Sequence, residues 1–149
     1  MNQNELKHAL DMKDRLNKVG SGFCLAKWDQ VTMHLHNGMT HSCHHPAPHK
    51  IPLSEIENNH KAIHNSKQKI EQRKSMLCGE RPGGCNYCYK MEDANSDTVS
   101  DRYLKSANLF EDRFDKIISS GEGKDHLPSY LEDFWTWNLY PEFKDFVFN

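Results

Sequence analysis

The sequence lacks the features that define several large functional classes. Its 149 residues contain no apolar run near the roughly 18 residues that a membrane-spanning helix requires. Lys and Arg total 19 and Asp and Glu total 21, so the chain has no basic excess of the kind that binds nucleic acid. Its N-terminus lacks the basic and then apolar pattern of a secretion signal. We therefore expect a cytoplasmic protein with no nucleic-acid partner and no membrane partner.

Apolar residues and common catalytic motifs are also scarce. Hydrophobic residues make up 36% of the chain, and the mean hydropathy is −0.86. A chain of this length forms one domain, and such a thin core is often supplemented by a metal or a partner. There is no glycine-rich phosphate loop, no nucleophile elbow and no H-E-x-x-H pattern. The residues therefore leave open whether the chain belongs to an enzyme.

What the chain does have is five cysteines in an informative arrangement. In a reducing compartment, closely spaced cysteines are more often metal ligands or redox groups than structural disulfides. Cys85 and Cys88 form a C-x-x-C knuckle directly after a Gly-Gly pair, whereas Cys24 and Cys43 flank a predicted hairpin with an Asn-Gly turn. Thiolates suit soft metals and iron–sulfur clusters. We predict that Cys24, Cys43, Cys85 and Cys88 supply the four ligands of a 4Fe–4S cluster.

Three other interpretations of these cysteines stay open. One is a set of ordinary buried thiols. Another is structural zinc, which usually takes two knuckles or a knuckle with a His pair; only one knuckle is present, but His44, His45 and His49 lie nearby in sequence. A redox dithiol is the third, although no βαβ pattern surrounds the knuckle. Covalent haem is excluded because Tyr89 stands where a histidine is required. Cys78, at the end of a predicted helix, is expected to be a bystander.

The residue pattern predicts an α+β fold, with a small β-hairpin and several short helices, rich in loops and organised around a Cys-ligated metal cluster. The hairpin pairs residues 31–36 with residues 39–43. Residues 23–28 are expected to be irregular or extended, and the prolines of residues 44–52 argue against any regular element there. Helices are predicted at residues 4–19, 55–59, 66–77, 87–92 and 108–119, with another starting near Ser100, and with Ser54, either Asn65 or Ser66, and Ser100 as N-caps.

Two further groups of polar residues invite functional interpretation. The chain contains 10 histidines, of which His34 and His36 share a predicted strand face and His41, His44, His45 and His49 follow. We interpret them as an exposed hairpin face and a polar loop, with a patch that supports a metal centre or binds a metal adventitiously as the alternative. The helix that begins around Arg102 is interpreted as a capped, solvated helix, with contact to an anionic substrate as the alternative.

These motifs together resemble a known family. Cys24, a variable stretch, Gly38, four residues and Cys43 resemble the opening half of a Twitch or SPASM auxiliary-cluster region of radical SAM proteins. The Gly-Glu-Arg-Pro stretch at residues 79–82, followed by the knuckle, is similar to a Twitch-containing group from phage and bacteria in which the auxiliary region precedes the barrel. The resemblance covers about residues 23–149. It implies an auxiliary 4Fe–4S cluster with Cys24, Cys43, Cys85 and Cys88 as ligands.

The resemblance also implies a domain organisation and a role. We expect an N-terminal helix at residues 1–20, a cysteine-rich cluster-binding region at 21–93, a helical connecting segment at 94–140 and, at 141–149, the first strand of a barrel that continues elsewhere. The C-x-x-x-C-x-x-C motif of radical SAM catalysis is absent, so the chain alone is expected not to cleave S-adenosylmethionine. Its partners are expected to be the remainder of a radical SAM barrel and an unknown substrate. The alternative is a small structural-zinc interaction module.

Overall fold

The computed structural model describes residues 2–34, 38–43, 45–107 and 111–120, together with Pro141. These residues combine short helices with a small antiparallel sheet, which confirms the predicted α+β class. The α-helices are α1 (Gln3–Val19), α2 (Ala26–Asp29), α3 (Leu53–Asn58), α4 (Lys67–Leu77), α5 (Asn86–Ala94), α6 (Asp101–Ala107) and α7 (Glu111–Ser120); the strands are β1 (Thr32–His34), β2 (Met39–His41) and β3 (His49–Lys50); a 3₁₀ helix spans His60–Ile63.

Within the described ranges, none of the helices combines the length and apolar character needed to cross a membrane. The connecting segment beyond residue 120 and the expected barrel strand at 142–149 lie outside the described residues, as do His36 and His44.

Local capping signals determine where the first helix begins and ends. The Asn2 side chain accepts a hydrogen bond from the Glu5 backbone N–H at 2.8 Å, and Glu5 Oε2 accepts one from the Asn2 N–H at 3.2 Å. This reciprocal capping box satisfies backbone donors that a helix start otherwise leaves free. The helix ends at Gly20, as the sequence predicts. Along α1 the buried residues are Ala9, Met12 and Leu16, whereas Leu6 and Leu10 are 39% and 42% exposed.

Aromatic packing forms the centre of the core. Phe23 lies 5.0 Å from Trp28 between ring centroids, and 5.7 Å from Phe114 in an edge-on arrangement. Phe23 and Trp28 are at most 2% exposed. The residues between them were predicted to be irregular or extended, but α2 forms a helical turn there. The helical turn is required because it sends Trp28 into the core.

The sheet has three strands in the order β1-β2-β3, all antiparallel. Gly38 has a φ of 74°, as a tight turn at this position requires. However, His34 pairs with Met39, whereas a two-residue Asn-Gly turn would pair residue 36 with Met39. The register of the described pairs therefore differs by two residues from the one that an Asn-Gly turn predicts.

The third strand contradicts the prediction that residues 44–52 contain no regular element. His49–Lys50 pairs with the second strand because these two residues lie between Pro48 and Pro52, so no proline has to donate within the ladder.

The helix starts were predicted with mixed success. Ser66 caps α4, where its hydroxyl accepts a hydrogen bond from the Lys69 N–H at 3.2 Å. By contrast, Pro52 and not Ser54 occupies the N-cap of α3. Proline suits a helix start because its missing N–H would be unpaired there anyway. The single turn predicted after the knuckle is a longer helix, Asn86–Ala94.

A close approach of two loops brings the first cysteine segment against the knuckle segment. A Cβ atom on Gly20 would lie 2.3 Å from Gly79 Cα, and one on Gly22 would lie 2.2 Å from the Glu80 carbonyl oxygen. Such distances exclude any side chain without movement of the backbone. The Tyr89 hydroxyl donates to the Gly22 carbonyl at 2.8 Å and stabilises the contact between the two segments.

Buried cations of α4 connect the sheet and α2. The Lys69 ammonium donates to Thr40 Oγ1 in β2 at 2.7 Å, and Arg73 Nε donates to the Lys27 carbonyl in α2 at 2.9 Å. Both cations are 1% exposed. Helix α4 therefore sets the position of the sheet relative to α2, and of the loops that these elements carry.

Candidate metal centre

Four of the five cysteines line a single small cavity of about 30 Å³. They are Cys24, Cys43, Cys85 and Cys88, the same set that the sequence singles out. All four are partly buried free thiols. Cys78 is exposed, and it occupies the C-cap of α4 away from this cavity. The structure therefore separates the four thiols from the fifth.

The four thiols reach the cavity from three separate segments. Cys24 lies in the loop before α2, and Cys43 follows β2 after one intervening residue. Cys85 is the N-cap of α5, and Cys88 lies in the first turn of that helix. Residues three apart on a helix share a face, so the knuckle presents both of its thiols to the same side.

Burial keeps three of these thiols, Cys24, Cys85 and Cys88, protonated in the absence of a metal. Burial raises the pKa of Cys24 and that of Cys88, each to about 11. Burial also raises the pKa of Cys85, against the opposing effect of the nearby Lys27 ammonium. In all three cases a negative charge on Cys43 raises the pKa further, so the sulfur atoms are close enough to repel one another when ionised. Metal binding would displace the protons.

Polar groups around the sulfur atoms favour their ionised form. The backbone N–H groups of Ala26 and Arg102 lower the pKa of Cys24 and that of Cys88, although burial has the larger effect. Ser106 Oγ lies 3.8 Å from Cys24 Sγ. Donors of this kind stabilise thiolate ligands and tune the metal that they hold.

A buried lysine forms part of the same wall. Lys27 is 4% exposed, and its ammonium donates to Cys85 Sγ at 3.6 Å. In the part of the chain that the structure describes, no carboxylate forms an ion pair with Lys27. A buried cation without a counter-ion is unfavourable, so this position calls for negative charge inside the cavity.

Arg102 lines the cavity from α6 and is fully paired. Its Nη2 donates to Glu92 Oε1 at 2.7 Å and its Nε donates to Glu92 Oε2 at 3.0 Å. Its Nη1 donates to the Phe23 carbonyl at 2.7 Å. The Ser100 hydroxyl donates to the same carboxylate at 2.7 Å. Arg102 is 2% exposed, so the interpretation of this helix start as solvated is wrong.

Among the histidines that the structure describes, His45 lines the thiol cavity. Its Nε2 donates to Asp101 Oδ2 at 2.6 Å, and its ring stacks on Tyr87 with a centroid distance of 4.0 Å. His45 and His49 are both partly buried, which corrects the interpretation of the histidines as an exposed group.

The donor chemistry suits a metal, but the side chains do not yet surround one. Among the residues that the structure describes, no three His, Cys, Asp or Glu side chains are arranged to hold a metal ion. Four thiols on one cavity are nevertheless the donor set that zinc and iron–sulfur clusters take. A cysteine side chain reorients about a single bond, so its sulfur atom can move without a movement of the backbone.

Sequence reasoning missed the polar residues between the cysteines. Lys27, Ser42 and Arg102 line the cavity, and each is at most 4% exposed. One signal for Lys27 was available: it stands between the aromatic residues Phe23 and Trp28 close to a cysteine. For the other two, burial depends on distant contacts that the local sequence does not encode.

Comparison with known proteins adds no relative. No protein-family model matches the sequence, and searches of curated proteins and of solved structures find no match.

Proposed function

We propose that this chain binds a 4Fe–4S cluster through Cys24, Cys43, Cys85 and Cys88, as the auxiliary-cluster region of a radical SAM protein. The observation that carries this proposal is the gathering of four thiols from three segments around one cavity, with Cys78 outside it. The barrel, the catalytic cluster and the substrate of such a protein would lie beyond this chain.

Charge also favours this function. A 4Fe–4S core held by four thiolates is anionic, and the wall of the cavity contains the buried ammonium of Lys27. The cluster would give Lys27 the negative partner that it otherwise lacks apart from a thiol. Removing one member of a buried ion pair leaves an uncompensated charge, so cluster and lysine are expected to stabilise each other.

The chain's own residues hold and shield the centre. The backbone N–H groups of Ala26 and Arg102 favour the thiolate form of Cys24 and Cys88, and Met76 and Pro46 supply apolar parts of the wall. When bound, the cluster would supply one-electron chemistry.

A structural zinc ion is the second candidate, because His45 lines the same cavity. Zinc accepts three thiolates and one imidazole, or four thiolates, in a tetrahedral site. The Asp101 carboxylate oxygen Oδ2 lies 2.6 Å from His45 Nε2. Imidazoles that bind zinc through one ring nitrogen commonly donate the other ring N–H to a carboxylate. In this case the chain is a small interaction module and not part of a redox enzyme.

Metal analysis after anaerobic reconstitution distinguishes the candidates. The full chain is supplied with iron and sulfide in one sample and with zinc in another, and metal and acid-labile sulfide are measured after removal of excess reagent. Four iron and four sulfide per chain, with visible absorption that bleaches on reduction, are expected. One zinc per chain without stable iron would favour the alternative, and retention of neither metal would refute both.

Serine variants test the ligand set against a matched control. Replacing Cys24, Cys43, Cys85 or Cys88 singly by serine is expected to lower cluster occupancy and the stability of the loaded protein, because ligation and folding are coupled. Cys78→Ser makes the same chemical change at an exposed position outside the cavity and is expected to leave occupancy intact. A loss with Cys78→Ser as large as that with Cys85→Ser would overturn this ligand assignment.

A further inference from the structure

A second, larger cavity shares a wall with the thiol cavity. Its volume is about 310 Å³, within the range of small-molecule sites. Lys27, Ser42 and Pro46 line both cavities. The second cavity is otherwise bounded by the β2 residue His41, the loop residues Ala47, Pro48 and His49, the α4 residues Gln68 and Gln72, and Gly83 and Gly84 before the knuckle.

The described lining of this second cavity contains cationic and hydrogen-bonding groups but no carboxylate. Lys27 supplies the cationic group, and Gln68 and Gln72 supply amides. The segment Pro46–Pro48 supplies an apolar side. This combination suits a small molecule with an oxyanion at one end and a carbon skeleton at the other.

Ser42 provides an independent sign that something binds here. It is 3% exposed, and among the described residues its hydroxyl has no hydrogen-bond partner. Leaving a buried hydroxyl unpaired is unfavourable, because the group loses its hydrogen bonds to water and gains none in the protein. Such a cost is removed when a ligand in the cavity accepts the hydroxyl proton.

The surroundings of the cavity carry positive charge. Burial, followed by the charges of Lys69 and Lys27, lowers the pKa of His49 to about 4. His49 is therefore neutral at pH 7, and its shift shows that two buried ammonium groups act on this wall. Arg73 adds a third buried cation where it contacts the Lys27 carbonyl.

We propose that this second cavity binds a small organic anion, with Lys27 and Ser42 contacting its carboxylate or phosphate and Pro46–Pro48 packing against its carbon skeleton. Because Lys27 also contacts the thiol cavity, the anion would bind next to the metal centre. The site is formed by the chain's own side chains and does not depend on the identity of the metal.

Calorimetric titration of the full chain tests the charge recognition. Succinate and inorganic phosphate are the anionic probes, and succinamide is the neutral analogue of succinate. Saturable binding of either anion that weakens with added salt is expected, without binding of succinamide. Tighter binding of succinate than of phosphate would assign the site to carboxylates, and the reverse would assign it to phosphates. Equal binding of succinate and succinamide, or no binding of either anion, would overturn the proposal.

A variant that introduces a negative charge at this cavity distinguishes failure of the anion site from failure of the metal site. Gln68 is exposed and lines the second cavity but not the thiol cavity, so Gln68→Glu adds a carboxylate to the wall of the second cavity and changes none of the cysteines. Anion binding is expected to weaken by about tenfold or more with metal content unchanged. Gln3→Glu makes the same change at the exposed start of α1 and should leave binding intact. Equal affinities in these two variants would contradict the site.

Ser42→Ala tests the unpartnered hydroxyl. Without an anion the substitution is expected to leave stability unchanged or to raise it, because a buried unpaired group is removed. With succinate or phosphate present, the anion-dependent rise in melting temperature should shrink. An unchanged rise would show that the Ser42 hydroxyl does not contact the anion and would refute its assigned contact.

Discussion

The two buried cations on the wall of the thiol cavity differ in how completely the fold pairs them. Lys27 and Arg102 are 4% and 2% exposed. Arg102 donates to the Glu92 carboxylate, to the Phe23 carbonyl and to Asn17 Oδ1. Lys27 donates to the sulfur of Cys85, which is a weak acceptor when protonated.

This difference indicates that Arg102 stabilises the fold itself, whereas Lys27 is positioned to contact an anion in the cavity. The polar groups that the Arg102 head requires are present in the polypeptide, so Arg102 stabilises the fold whether or not the cavity is filled. Lys27 lacks a carboxylate among the described residues, and the thiol beside it becomes a strong acceptor only as a thiolate. Binding of an anionic centre in the cavity is therefore expected to compensate the charge of Lys27 and to have little effect on Arg102.

The largest expected effect is the loss of Arg102. Arg102→Met would leave Glu92 buried without its cation, at a cost of about 3–5 kcal/mol in the free energy of unfolding. Urea denaturation of the metal-free protein measures this cost. Arg81→Met removes the arginine of the exposed pair with Asp93 and should have a much smaller effect. Similar losses in the two variants would refute the structural role of Arg102.

The next largest loss of stability is expected from a backbone clash at Gly22, next to the Phe23 carbonyl that accepts from Arg102. Gly22→Ala places a methyl group 2.2 Å from the Glu80 carbonyl oxygen and displaces the loop whose Phe23 carbonyl accepts from Arg102. We expect a loss of about 1–3 kcal/mol, typical of overpacking.

Gly83→Ala is the matched control for this clash. A Cβ atom on Gly83 meets no atom within 4 Å, so thermal unfolding of this variant should differ little from that of the original chain. A loss equal to that of Gly22→Ala would show that the close approach of the loops is not the cause.

Acid is expected to destabilise the fold by protonating Glu92, the carboxylate partner of Arg102, and one variant isolates this effect. Burial raises the pKa of Glu92, but hydrogen bonds from Arg102 and Ser100 outweigh this effect and hold that pKa below its usual value. The ionised carboxylate therefore stabilises the fold above about pH 4.3, the usual value for glutamate, and this contribution is lost as the pH falls toward the folded-state pKa.

The test compares the original chain with Glu92→Gln by urea denaturation across this pH range. The destabilisation caused by Glu92→Gln should be largest near neutral pH and should shrink in acid, where the original chain loses the same charge. A difference that stays constant with pH would exclude this linkage.

The sequence predicted the parts of this arrangement that are encoded locally. The α4 start at Ser66, and the turn conformation of Gly38 at a φ of 74°, follow from residues adjacent in the chain. The spacing of the cysteines likewise singled out the four that line one cavity. The helical turn at α2 could not be predicted, because it follows from the burial of Trp28 against Phe23.

The partners of the two buried cations could not be predicted from the sequence either. Arg102 meets Glu92 from the neighbouring helix, and Asn17 from a helix 85 positions earlier in the chain. Local sequence around Arg102 suggests a solvated helix start, and only tertiary packing buries it. The same holds for Lys27, whose charge would be expected at a surface.

The smallest effect in the metal-free protein, and the sharpest comparison, comes from Lys27→Met. Without a metal, replacing a buried and poorly paired ammonium by an apolar side chain should be neutral or should stabilise the fold by about 1 kcal/mol. With the cluster bound, the sign should reverse, because the anionic centre loses its nearest cation. The reconstituted variant should then release iron faster and show a lower reduction potential, since reduction adds negative charge beside the missing ammonium.

Lys27→Arg keeps the positive charge and should restore the potential toward that of the original chain, which separates charge from packing. Chemical denaturation of the metal-free forms and redox titration of the loaded forms, both without added carboxylate or phosphate, measure the two signs. If Lys27→Met destabilised the metal-free and the loaded protein equally, Lys27 would serve the fold as Arg102 does. The contrast between the two cations would then not reflect an anionic centre in the cavity.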